Sequence, residues 1–200
     1  MSEINNRYIE NYIKKEIDID TVLSKPENGW TTFRIGYSKY ELSYLTDLPE
    51  VWLDTMISNF KGPYVLTCEC EPGELTCVVM QGMGYVHLFF DDRYQTSYIV
   101  KKDFTKIVMN DIEQNLNAWA EWTNGYWLWE KDPAEIKRGL TERIERLKCL
   151  YKEDERKSRE FRQKIEQENI RIEEERKEEL EKAMENGDSI VIMDLEMDDD

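Results

Sequence analysis

The 200-residue chain reads as an α+β protein: an antiparallel meander sheet packed with helices, then a long charged C-terminal helix and an acidic tail. Two observations predict this class. Four β-type runs follow one another between residues 64 and 101 with connectors too short for a parallel crossover, which needs about a dozen residues or more. The apolar period on either side of them shifts to the 3–4 spacing of helices that must bury one face.

The elements follow in order. Residues 4–17 place Tyr8, Ile9, Tyr12, Ile13 and Ile17 near one face at helical spacing, which predicts a short amphipathic helix packed on the domain. Pro26, Asn28 and Gly29 mark a loop. Thr31–Ile35 and Tyr40–Tyr44 read as strands. Thr46 or Asp47 can cap a helix that takes Pro49 in its first turn and Glu50 at its positive end, and Gly62-Pro63 stops it. The meander is expected as Tyr64–Glu71, Glu74–Gln81, Tyr85–Asp91 and Gln95–Lys101, with Pro72-Gly73 as a type II turn. Asp103 should cap a helix carrying Phe104, Ile107, Val108, Ile112, Leu116 and Trp119, ended by Asn124-Gly125.

Beyond Pro133 the composition changes. Of 23 aromatic residues, 21 lie in 1–133, so the core must come mostly from that stretch. The expected organisation is therefore an α+β domain over 1–133, a helix over 134–186 and an acidic tail over 187–200. Residues 134–151 keep a seam of Ile136, Leu140, Ile144, Leu147 and Tyr151, whereas 22 of the 31 residues in 152–182 are charged. Five Glu-to-base pairs at i,i+4 favour a solvated helix: Glu153/Lys157, Glu155/Arg159, Glu160/Lys164, Glu173/Lys177 and Glu178/Lys182. The seam continues through Asp154, Ser158, Phe161, Ile165, Glu168 and Ile172, too polar to favour a homodimeric coiled coil over a solitary helix.

The formal net charge is −16, and both parts of the chain are acidic. That disfavours nucleic acid and anionic membranes, which recruit basic groups, and suits another protein of basic character as partner. The absence of a basic-then-apolar leader pattern, of a 20-residue apolar run and of a disulfide-type cysteine framework leads to the expectation of a cytoplasmic chain with reduced thiols.

Few constellations carry chemistry. A two-residue turn at Pro72-Gly73 would pair Cys68 with Cys77 and put Cys68, Cys70 and Cys77 on one face, with His87 on the next strand. A zinc site or a Cys68–Cys77 bridge is conceivable. However, Cys68 and Cys70 stand about 7 Å apart along a pleat, too far for a chelating turn, so small buried hydrophobes are the favoured reading. Gly82 and Gly84 form a GxG with no helix after it, hence a hairpin turn rather than a phosphate cradle. Asp91 and Asp92, with Asp103, could hold a cation but read as turn residues. His87 lies mid-strand in an apolar run, unsuited to serve a nucleophile. No catalytic, cofactor-binding or metal-ligating residue is assigned, and no cofactor is expected.

The dense aromatic segment Tyr126-Trp127-Leu128-Trp129 alternates, so Tyr126, Trp127 and Trp129 are candidate partner-binding residues. So are Ile190, Val191, Ile192 and Met193, an aliphatic run with acidic flanks that resembles a SUMO-interacting motif and would add a strand to a partner sheet. Ser43-Tyr44-Leu45, the helix after Pro49 and the turn Glu71-Pro72-Gly73-Glu74 resemble small bacterial immunity-protein-like α+β proteins over about residues 40–125. The resemblance implies a non-enzymatic, inhibitory binding role and supplies no catalytic residues. The other expectation is a structural adaptor whose long helix is a spacer or oligomerisation arm and whose tail docks elsewhere.

Overall fold

The computed structural model describes residues 21–71, 73–82, 84–122 and 131–185. The helix expected at 4–17 and the segments 126–129 and 187–200 lie outside them. The chain divides into two units, one ending at Leu150 and the other beginning at Tyr151.

In the first unit, β1 (Trp30–Ile35) and β2 (Ser38–Ser43) form an antiparallel hairpin. Helix α1 (Leu48–Ser58) leads into β3 (Tyr64–Glu69), β4 (Glu74–Val79), β5 (Tyr85–Phe90) and β6 (Arg93–Tyr98). These four strands pair in chain order as an antiparallel meander, the expected α+β architecture. Helices α2 (Lys101–Gln114) and α3 (Leu116–Ala120) follow, then α4 (Pro133–Glu185).

Alternation along the strands makes the core. Tyr64, Leu66 and Cys68 of β3, Leu75, Cys77 and Val79 of β4, and Val86 and Leu88 of β5 are buried on one face of the meander. The β1–β2 hairpin, α1 and α2 add Phe33, Leu42, Trp52, Leu53, Phe104, Val108 and Ile112. The Phe33 and Trp52 rings meet edge to face at 6.0 Å, and Trp52 Nε1 donates to the Thr67 carbonyl at 2.9 Å. Each such side chain contributes about 1.5–3 kcal/mol by leaving water. Ile136, Leu140, Ile144 and Leu147 bury the first turns of α4 in the same core.

Two polar anchors fix this layer. The Asp111 carboxylate accepts the Val22 and Leu23 N–H groups at 2.7 and 2.8 Å, holding the chain before β1 against α2. Lys101 Nζ donates to the carbonyls of Asn59, Phe60 and Gly62 at 2.9, 2.6 and 2.6 Å, satisfying three acceptors of the turn that follows α1.

Several local expectations need correction. The Pro72-Gly73 type II turn does not form: Glu69 pairs with Glu74 and Cys70 N–H donates to the Gly73 carbonyl at 2.9 Å, leaving four residues in the loop. Glycine is required at 73, where φ is +111° and a Cβ would stand 2.8 Å from Asp91 Oδ1. Cys68 consequently faces Leu75, and Cys77 faces Leu66. A register shift of two keeps every side chain on its expected face. Strand β6 ends at Tyr98 rather than Lys101, and Val100 rather than Asp103 occupies the α2 N-cap position, which lets Lys101 open α2 with its ammonium on the turn after α1. The expected single helix through Trp119 breaks at Asn115, whose side-chain amide bonds back to the Asp111 carbonyl at 3.1 Å. Asp47 sits at the N-cap position of α1 but its carboxylate makes no cap bond; it takes Lys131 instead.

In the second unit, residues 151–185 continue α4 as an ion-paired helix that is exposed from Glu155 to Lys182. Glu153–Lys157 and Glu178–Lys182 form at 3.1 and 3.9 Å, as expected from their order. Arg156 bridges Glu153 and Glu160 at 2.7 and 2.6 Å.

Candidate functional site

The second face of the meander carries no other described layer. Its residues are those between the core positions: Val65 and Thr67, Thr76 and Val78, Tyr85, His87 and Phe89, and Tyr94, Thr96 and Tyr98. Val65, Phe89, Tyr94 and Tyr98 are 50, 42, 57 and 46 % exposed.

Five rings run in contact across β5 and β6. Tyr98 meets Tyr85 at 5.0 Å and Tyr85 meets His87 at 6.2 Å. His87 stacks on Tyr94 at 5.8 Å and 18°, and Tyr94 meets Phe89 at 5.1 Å. Cross-strand pairing explains the arrangement, since Tyr85 lies opposite Tyr98 and Phe89 opposite Tyr94. A small polar triangle sits within the run. Thr96 Oγ1 donates to Tyr94 Oη at 2.8 Å, and His87 Nδ1 lies within hydrogen-bond distance of both hydroxyls, 2.7 Å from Tyr94 Oη and 3.1 Å from Thr96 Oγ1.

The charge around the face is one-sided. Residues 64–98 contain five acids, Glu69, Glu71, Glu74, Asp91 and Asp92, against a single Arg93. All lie at or beside the β3–β4 and β5–β6 turns, which share one end of the sheet. At the other end, Gly84, Tyr98, Ile99, Val100, Asp103, Lys106 and Ile107 line a mostly apolar groove of about 480 Å³.

The cysteines take no part in this surface. Cys68, Cys70 and Cys77 are free and buried, and burial pushes the Cys68 and Cys70 thiols up to about 12 and about 11 and raises Cys77 as well. Their location is the core side, whereas His87 pairs with Val78 on the opposite side, so the sheet itself separates the imagined zinc ligands. Among the described residues no three His, Cys, Asp or Glu side chains are grouped to hold a metal, Asp91, Asp92 and Asp103 included. Gly82 and Gly84 shape the β4–β5 hairpin, where Met80 N–H donates to the Tyr85 carbonyl at 3.2 Å.

One carboxylate pair has the split titration of an acid–base couple. Burial and the hydrogen bond with Glu50 raise Asp47. Burial also opposes ionisation of Glu50, but Lys131 and Asp47 outweigh it and hold Glu50 low. Both acids are saturated, however. Lys131 bonds Asp47 and Glu50 at 3.0 and 2.7 Å, and Arg143 bonds Glu50 and Asp54 at 3.2 and 2.9 Å. The network fastens α4 and the chain just before it to α1.

The sequence-derived candidates Tyr126, Trp127, Trp129, Ile190, Val191, Ile192 and Met193 all lie outside the described residues. The open face was missed because Tyr85-Val86-His87-Leu88-Phe89 looks uniformly apolar. Its strict alternation of aromatic with aliphatic residues was the available signal. Compared with known proteins, the chain matches no family model, no curated protein and no solved structure. Among the described residues no helix is long and apolar enough to cross a membrane.

Proposed function

We propose that this is a non-enzymatic protein-binding module that engages a basic protein partner through the open face of β3–β6. The observation that carries the reading is the five-ring run from Tyr98 to Phe89, half-exposed beside five acids. Rigid tyrosine and phenylalanine anchors supply contact area at low entropic cost, and an acidic border steers and orients a basic surface. Base stacking on the same rings would require phosphate-neutralising cations, and Arg93 is the only Lys or Arg in residues 64–98. An immunity-like inhibitor, which silences its partner by covering it, is the form suggested by the sequence resemblance.

A second reading is favoured by Phe161 and Ile165, which are 64 and 45 % exposed four residues apart on the helix 151–185. It makes that helix the arm of an adaptor. Affinity capture from the source cell with the full chain separates the two. Phe89→Asp/Tyr94→Asp should abolish capture of the partner, and Phe161→Asp/Ile165→Asp should retain it. The reverse pattern would establish the adaptor reading. Capture should also weaken steeply between 50 and 500 mM salt if charge steers it, on the order of tenfold or more.

A further inference from the structure

We infer that the partner lays a proline-rich segment in polyproline II conformation along the open face, basic where it meets the β5–β6 turn and apolar where it reaches the groove beyond Tyr98. The inference rests on the reading of that face as a partner surface and names what occupies it.

Three zones follow one another along β5 and β6. At one end the turn carries Asp91 and Asp92, directly after the strand that holds Phe89. In the middle lie the rings. The Phe89–Tyr94 and Tyr85–Tyr98 pairs, at 5.1 and 5.0 Å, stand four residues apart on each strand with His87 between them. At the far end Tyr98 also lines the groove, together with Gly84, Ile99, Val100 and Ile107. Tyr98 therefore joins the ring run to the groove, and the acidic, aromatic and apolar zones form one continuous track. Four residues of strand cover about 14 Å. A polyproline II chain, rising about 3.1 Å per residue, crosses that distance in about four or five residues.

The conformation follows from what the track offers. It lies on a sheet face, where no backbone edge is available for strand addition, so an occupant is held by its side chains and carbonyls. Proline rings pack on flat aromatic surfaces, and a polyproline II backbone leaves its carbonyls without internal partners. Among the described residues the Tyr85 and Tyr98 hydroxyls have no hydrogen-bond partner, which leaves two donors beside the rings for such carbonyls. Basic residues flanking the proline run match the acids at the turn, and the stiffness of the run lowers the ordering cost of binding. The groove, about 480 Å³, has room for one large apolar side chain.

Amide NMR of the labelled full chain tests this with a synthetic peptide of an arginine pair, a proline run and a leucine, made in both chain directions. Saturating shifts are expected at Tyr85, His87, Tyr94 and Tyr98, extending to Val100 and Ile107. Replacing the prolines by glycine and serine at the same charge should weaken binding about tenfold. Equal affinity for that flexible peptide would overturn the inference while leaving a basic partner on this face intact. Tyr85→Phe/Tyr98→Phe keeps the rings, removes the hydroxyls and should weaken the proline peptide by about tenfold. Unchanged affinity would overturn the docking of carbonyls on those hydroxyls, and the polyproline conformation with it. The inference also falls if shifts are absent or confined to the helix 151–185, whereas the partner-surface reading stands or falls separately on capture by the Phe89→Asp/Tyr94→Asp chain.

Discussion

Asp111 shows how much one residue can hold. Burial raises its pKa against the opposing effect of the two N–H groups it accepts. A carboxyl whose folded pKa lies above its unfolded value contributes most below the unfolded value, and the contribution declines as pH rises through the folded one. Asp111→Ala should cost roughly 2–5 kcal/mol, since two buried donors lose their acceptor, whereas Asp111→Asn should recover most of that and flatten the decline. Urea midpoints at several pH values measure both. None of this was visible in the sequence, where Asp111 is one acid among 43 and its partners lie 88 and 89 residues away. Lys101 was hidden for the same reason: its partners are carbonyls in the turn that follows α1, about 40 residues earlier in the chain. Residues whose role is local read far better. Gly82, Gly84, Asp91 and Asp92 all shape turns as their types suggest.

Elements were legible where one face had to be buried. The helical period located α1, α2 and α4, and two-residue alternation put the three core cysteines on one side of β3 and β4 even though the register was displaced by two. Turn geometry was the weak point, because Pro72-Gly73 suits a two-residue turn as well as the last half of a four-residue loop. The open sheet face was illegible for another reason: alternation tells which residues share a side, not which side the helices will cover. For the helix 151–185 the chemistry is all local, and acid should dissect it. Glu153 is held at about 2 by hydrogen bonds from Arg156 and Lys157. A lowered folded pKa means that its contribution persists above the unfolded value and is lost only as pH falls through about 2. Residue-resolved NMR on acidification should therefore show helix around Glu153 persisting until the pH nears about 2. Fraying of that segment already complete in the ordinary carboxylate range would contradict this.

At the scale of the whole molecule, the two units rest on different forces. The first buries Trp52, Phe33, Trp119 and Phe104, whereas residues 152–182 depend on exposed ion pairs of small individual worth. All six tryptophans precede residue 133, so tryptophan fluorescence reports the first unit while far-ultraviolet circular dichroism also reports the helix. On heating, the dichroism signal should begin to fall before the fluorescence changes, and added salt should widen the gap. Coincident transitions would show the chain to be one cooperative unit.

The meander assigns its two duties to interleaved residues. In β5, Val86 and Leu88 answer to the core while Tyr85, His87 and Phe89 answer to whatever meets the outer surface. Substitutions at the latter three can therefore change the outer surface while leaving the core positions of the strand untouched. A single-residue insertion in the same six-residue strand would exchange the two sets and destroy both at once. The strand is consequently permissive in letter and strict in length, a pattern by which diverged versions of this surface could be traced.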